Sequence, residues 1–147
     1  MSVRELLKQK RKEVISVEST ANVAEAARLL MEHGIGGLPV VGGDAALVGF
    51  VSERDIVNAV DRHSNKVRDV GVASIMRRPA PVCSSDDPIR EVMKRMTRER
   101  LRHLVVLDQD RIAGVISVGD IVKHRLEQLE TEAGVLRDYV AGQRATR

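Results

Sequence analysis

Residues 38–57 read LPVVGGDAALVGFVSERDIV, and residues 104–122 read LVVLDQDRIAGVISVGDIV, the same passage with one residue fewer in its loop. Beyond the loop Gly49 matches Gly114, Ser52 matches Ser117 and Asp55 matches Asp120, at a constant offset of 65. Ahead of it the offset is 66, pairing Ser19 with Ser85, Glu25 with Glu91, Leu38 with Leu104 and Val40 with Val106. Self-similarity held in register over so many positions means that one structural unit is built twice. The chain divides accordingly into a first repeat with an N-terminal helix (1–65), a second repeat (66–125) and a C-terminal helical extension (126–147).

Outward from the loop, two short β-branched runs flank it in each copy, 38–41 and 47–51 in the first, 104–107 and 112–117 in the second. Joined by Gly and Asp, each pair predicts a β-hairpin. Upstream, Val23, Ala26, Ala27 and Leu30 follow Ser19-Thr20 at helical spacing until His33-Gly34 stops the helix. The second copy offers Asp87 as cap and Pro88 as first helical residue, with Ile89, Val92, Met93 and Met96 on one face. A short extended piece opens each copy, 13–17 and 81–83, and a second helix closes it, from Glu53 and from Val118. The unit is strand, helix, strand, strand, helix, an α/β (α+β) architecture. One three-stranded unit cannot cover its apolar face alone, so the copies are expected to pack about a pseudo-twofold axis, leaving two related clefts where strand ends meet. Ahead of the first copy, Ser2-x-x-Glu5 starts a short helix whose Val3, Leu6 and Leu7 parallel Val72, Ile75 and Met76. Each unit is thus expected to carry its own leading segment.

The 147 residues are 43% apolar and 31% charged, the balance of a globular protein rather than a disordered or membrane-spanning one. No run approaches the ~18 uninterrupted apolar residues of a membrane span, and residues 1–12 lack the apolar centre of a secretory signal. A single cysteine, Cys83, forms no internal disulfide, which suits a cytoplasmic address. Lys and Arg number 24 against 21 Asp and Glu, a net charge of +3, a mild excess that favours phosphate-bearing partners. With one Phe, one Tyr and no Trp, the stacking grip on single-stranded nucleic acid is nearly absent.

Chemistry gathers at Ser52-Glu53-Arg54-Asp55 and at Ser117-Val118-Gly119-Asp120, each where a strand turns into a helix. Unpaired first-turn N–H groups and the helix dipole attract anions there. A phosphate beside Ser52, with Asp55 accepting ribose hydroxyls, would make a nucleotide half-site. The plainer reading of S-x-x-D is a capping box, in which Ser and acid satisfy helix-end donors. From the tetrad alone both readings stand.

Both copies follow the pattern Gly, two apolar residues, Ser, two variable residues, Asp: residues 49–55, GFVSERD, and 114–120, GVISVGD. Together with LPVV and RHLVV ahead of them, these motifs resemble the tandem CBS (cystathionine β-synthase) domain pair, or Bateman module, over roughly residues 14–125. The resemblance implies a stand-alone regulatory module that binds AMP, ATP, NAD or S-adenosylmethionine without chemistry on them. It implies that the first cleft combines Ser52, Arg54 and Asp55 with Pro81 and Val82 of the second copy, Arg102 and His103 facing the phosphates. The second cleft would combine Ser117 and Asp120 with Ile15 and Ser16. There Gly36-Gly37 replace the basic pair and Gly119 replaces Arg54, so the first cleft is expected to hold anions more tightly.

Other groups read as structural. The four histidines show no metal-ligand spacing, and no metal is expected. His63 falls in a polar linker, 61–68; Cys83 reads as a small buried apolar residue. Lys94, Arg95, Arg98 and Arg100 read as a solvated helix face, and the basic residues among 8–12 as a solvated helix end. Two other functions are weighed: a nucleotide-hydrolysing enzyme using Asp55 with His103, and a nucleic-acid binder using residues 94–102 as a basic face. Finally, Val122, Leu126, Leu129, Ala133, Leu136 and Val140 trace an a/d stripe. That helix either folds back on its own chain or pairs in a homodimer, which the resemblance favours; an effector protein is the remaining partner.

Overall fold

The computed structural model describes residues 1–145, and its elements repeat as the sequence does. Helix α1 (Val3–Lys10) leads into β1 (Val17–Glu18), α2 (Val23–His33), β2 (Gly37–Val41), β3 (Leu47–Ser52) and α3 (Glu53–His63). A 3₁₀ turn, Ser64–Asp69, connects to α4 (Val72–Ile75), β4 (Val82–Ser84), α5 (Ile89–Glu99), β5 (His103–Asp108), β6 (Arg111–Ser117) and α6 (Val118–Ala145). Each repeat holds one three-stranded sheet, β1-β2-β3 and β4-β5-β6, with the first pair parallel and the hairpin pair antiparallel. The hairpin registers bulge at equivalent places, Val40/Val41 and Val106/Leu107. In the second hairpin Gln109 and Asp110 both take left-handed φ, 50° and 64°, the geometry a two-residue loop needs to match strand twist.

Local details differ from expectation at several ends. Asn22 caps α2 by accepting from the Glu25 N–H at 2.9 Å. Pro88 is itself the N-cap of α5, because Asp87 is drawn back to accept from the Ser84 N–H at 2.9 Å. The opening strand of the first copy is confined to Val17–Glu18, since only these residues pair with β2. His63 closes α3 instead of lying in a linker.

The leading helices are exchanged. Val3 and Leu6 of α1 are buried in the core of the second repeat, with Cys83, Ile89, Leu104 and Ile116. Val72 of α4 is buried in the core of the first, with Val17, Leu38, Val40 and Val51. Each unit therefore does not keep its own leading segment; it lends that segment to the other. Equivalent backbone bonds hold the exchange, Val3 N–H to Asp87 C=O at 3.0 Å and Val72 N–H to Ala21 C=O at 2.9 Å. The physical reason is edge satisfaction, since these N–H groups belong to helix first turns with no intrahelical partner. The swap relates the two copies by the pseudo-twofold expected of them.

Glycines at the motif positions permit the close approach. A Cβ on Gly49 would lie 2.5 Å from Met76 Sδ and 3.0 Å from the Arg77 carbonyl oxygen; one on Gly114 would lie 2.7 Å from Leu7 Cδ2. Met76 and Leu7 are the matching residues of the two lent segments, so in both copies a lent segment packs directly on the motif glycine. Helix α6 runs without a break through residues 125–126 and, beyond the buried Ile121 and His124, leaves the body of the protein.

Candidate functional site

Strand β3 ends in extended conformation at Ser52, and the chain turns directly into α3. Ser52 Oγ accepts from the Asp55 N–H at 3.3 Å, while the Asp55 carboxylate accepts from the Ser52 N–H at 2.8 Å and its hydroxyl at 3.0 Å. The capping box is therefore formed. It also faces a cavity of about 630 Å³, within the range of small-molecule sites. Ser52, Arg54 and Asp55 of the first repeat line this cavity opposite Pro81, Arg102 and His103 of the second. The box fixes the serine and the acid at the wall of the cleft, which the first turn of α3 also lines.

His103 begins β5 and packs its ring on Phe50, centroids 5.4 Å apart and tilted by 37°. Gly36 also lies close to the imidazole; a Cβ there would be 3.2 Å from His103 Nε2. Burial lowers the His103 pKa, and the nearby charge of Lys10 lowers it further, so the imidazole enters the cleft as a neutral group at pH 7. Sequence reasoning left Phe50, Arg77 and Arg100 out of this cleft, and the lining includes all three. Arg100 was hidden in a basic run that otherwise behaves as a solvated face, with Lys94 near Glu91, and Arg95 and Arg98 near Glu99. Arg77 follows α4 and gave no local signal; the Phe50–Arg77 backbone pair places it.

Val82 lies outside the lining of this cavity, and its carbonyl accepts from Arg95 Nη1. Ser117 lines the first cleft rather than a second one, along with Val118 and Gly119, so the N-termini of α3 and α6 open on the same cavity. The cleft equivalent by symmetry is small, about 70 Å³, lined by Ile15, Gly37, Val115 and residues of α1. Ser16 is exposed and lines neither cavity.

Asp120 repeats the capping geometry, accepting from the Ser117 N–H at 2.8 Å and donating its own N–H to Ser117 Oγ at 3.2 Å. Its carboxylate, however, is held by Lys10 Nζ at 2.8 Å, which also donates to the Val115 carbonyl at 2.8 Å. Lys10 is thus no solvated helix end. Burial alone would raise the Asp120 pKa, but the Lys10 hydrogen bond and the Ser117 bonds outweigh it and leave the pKa below its ordinary value. Cys83 offers no nucleophile, since burial pushes its thiol up to about 11.

A match to the CBS domain family covers residues 3–62 and again 68–127. The chain belongs to the CBS domain family. As a CBS pair it superposes on a CBS-domain containing protein from Agrobacterium tumefaciens, 34% identical, with a TM-score of 0.80 over 85% of this chain and 99% of that one. A CBS domain protein from Pyrobaculum aerophilum, solved in complex with AMP, is 28% identical with a TM-score of 0.78, covering 90% of this chain and 99% of that one. The CBS domain pair of protein MJ0100, solved with 5-methylthioadenosine and S-adenosyl-L-methionine, is 27% identical with a TM-score of 0.77, covering 87% and 98%. By contrast, the chain spans only 22% and 36% of the length of two curated relatives that it matches. Among the described residues, no helix is long and apolar enough to cross a membrane.

Proposed function

We propose that this CBS pair is a regulatory module that binds one adenine nucleotide per chain in its first cleft and performs no chemistry on it. The observation that carries the reading is the meeting of Ser52, Arg54 and Asp55 with Pro81, Arg102 and His103 around one nucleotide-sized cavity. Asp55 is positioned to accept ribose hydroxyls, and the N-terminus of α3 with Arg54 and Arg102 to receive phosphate. Adenosine ligands in two structural relatives support the ligand class. The second cleft stays empty of nucleotide because Lys10 and Leu7 occupy the ground a ligand would need.

A ligand that bridges two repeats favours the conformation in which they are closed, and it shifts the protein only by its differential affinity for two states. The output passes to an effector protein or to a homodimer built through α6, in a cytoplasmic setting where a lone cysteine stays reduced. Calorimetric titration with AMP, ATP, NAD and S-adenosylmethionine tests the reading. It is expected to give saturable binding of at least one compound at a stoichiometry of one, with nucleotide recovered intact; heat-silent titrations for all four would overturn it.

A further inference from the structure

We infer that the first cleft is built for a polyphosphate chain, so that it takes an adenosine triphosphate in preference to the monophosphate or to adenosine compounds without phosphate. The inference rests on the adenine-nucleotide reading above and narrows it.

Arg54, Arg77, Arg100 and Arg102 all line the cavity. Among the described residues, none of their guanidinium groups takes part in a hydrogen bond or ion pair, whereas Arg4, Lys10, Arg28, Lys94, Arg95 and Arg98 each face an acid. The four guanidinium groups are thus left without acid partners while sharing one concave wall. Inside the cavity only Glu53 and Asp55 oppose them, and the Asp55 carboxylate is already turned to Ser52. Four guanidinium groups against two carboxylates leave the wall with a net charge of +2.

Two helix N-termini add to that field, because the first turns of both α3 and α6 open on the same cavity. Gly119 keeps the approach to α6 clear, since a Cβ there would meet only Ser117 Oγ, at 3.5 Å. A single phosphate anchored at Ser52 engages one helix end and a part of the guanidinium groups. A chain of phosphates extends toward the α6 end and gives the remaining arginines oxygens to clamp in their planar forks. S-adenosylmethionine instead brings a sulfonium cation against a positive wall, and methylthioadenosine brings no charge.

The test is calorimetry on the full chain, without added divalent ions, using ATP, AMP, methylthioadenosine, S-adenosylmethionine and inorganic tripolyphosphate. ATP is expected to bind about tenfold or more tighter than AMP, with the two phosphate-free compounds weakest. Arg77→Ala and Arg102→Ala, both changes of side chains without internal partners, are each expected to cost about tenfold in ATP affinity and distinctly less in AMP affinity. AMP binding as tightly as ATP, or variants that weaken both equally, would overturn the inference and leave the adenine-nucleotide reading standing. Tripolyphosphate binding as tightly as ATP, or failure of every adenosine compound to bind, would overturn both.

Discussion

Lys10 and Asp120 form an ion pair between the N-terminal helix and the start of α6, Nζ to Oδ2 at 2.8 Å, with side chains only 21% and 22% exposed. It joins the N-terminal helix to the motif of the second repeat, and Lys10 also lines the small symmetry-equivalent cleft. In Lys10→Met the half-buried Asp120 carboxylate loses its cation, and stability is expected to fall by about 1–3 kcal/mol. The Asp120 pKa is lowered in the folded state, so the pair's contribution is present above the ordinary aspartate value near 4 and is lost as pH falls through the lower folded value. Urea titrations of both proteins should therefore differ at pH 7 and converge in strong acid. The same variant is expected to raise nucleotide stoichiometry above one; a value unchanged from wild type would show that Lys10 does not guard the second cleft.

Asp55 answers to two tasks at once. It accepts the Ser52 N–H and hydroxyl in the capping box, and it stands in the wall of the first cleft. Asp55→Ala is expected to cost about 1 kcal/mol in stability from the lost cap and to weaken nucleotide binding by tenfold or more. A variant that restores cap stability without ribose geometry separates the tasks: Asp55→Ser is expected to regain part of the melting temperature and none of the affinity. Affinity that tracks stability across the two variants would reduce Asp55 to a structural residue.

The repeat, the hairpins and the pseudo-twofold were legible in the sequence because they rest on local signals, β-branched runs, turn residues and a matched Gly-x-x-Ser-x-x-Asp. The exchange of leading helices was not, because Val3 and Val72 look alike in pattern, and only the paired edges Ser2 with Pro88 and Asn22 with Gly71 decide which core each enters. Half of the first cleft was legible for the same reason: Ser52, Arg54 and Asp55 sit on the motif, and Arg102 and His103 sit just ahead of its partner strand. Arg77 and Arg100 escaped notice because their place in the cleft depends on chain paths from two different elements. Lys10 escaped because a lysine at a helix end carries no sign of the acid it will meet 110 residues later.

The two motif glycines carry different loads. At Gly49 an added methyl would press on Met76 and on the backbone oxygen of Arg77, which is fixed by its bridge to Phe50. At Gly114 it would meet only the end of the Leu7 side chain, which can turn aside. Gly49→Ala is expected to destabilise by about 1–3 kcal/mol, the usual penalty of overpacking, and Gly114→Ala by less. Thermal denaturation of the two variants side by side checks the order, and a reversed order would mean that the Leu7 contact is the stiffer one.

Helix α6 spans 28 residues, about 42 Å, far beyond the length its own repeat covers. Between His124 and residue 143 its side chains are exposed, among them Leu126, Leu129, Leu136 and Val140, which belong to the a/d stripe read from the sequence. The helix does not fold back to bury them, so the fold-back alternative is not the arrangement seen. A lone helix with an uncovered apolar stripe gains little from its own hydrogen bonds, and its stability comes from packing against a partner. Burying each leucine in a second copy contributes up to about 1.5–3 kcal/mol, enough for a few such residues to hold a dimer. Wild-type protein is accordingly expected to sediment as a dimer. Leu126→Lys with Leu129→Lys should sediment as a monomer while retaining nucleotide binding in the first cleft, which lies in the other direction from the stripe's far end. Wild-type protein that is monomeric at micromolar concentration, or a double variant that stays dimeric, would remove α6 as the seam.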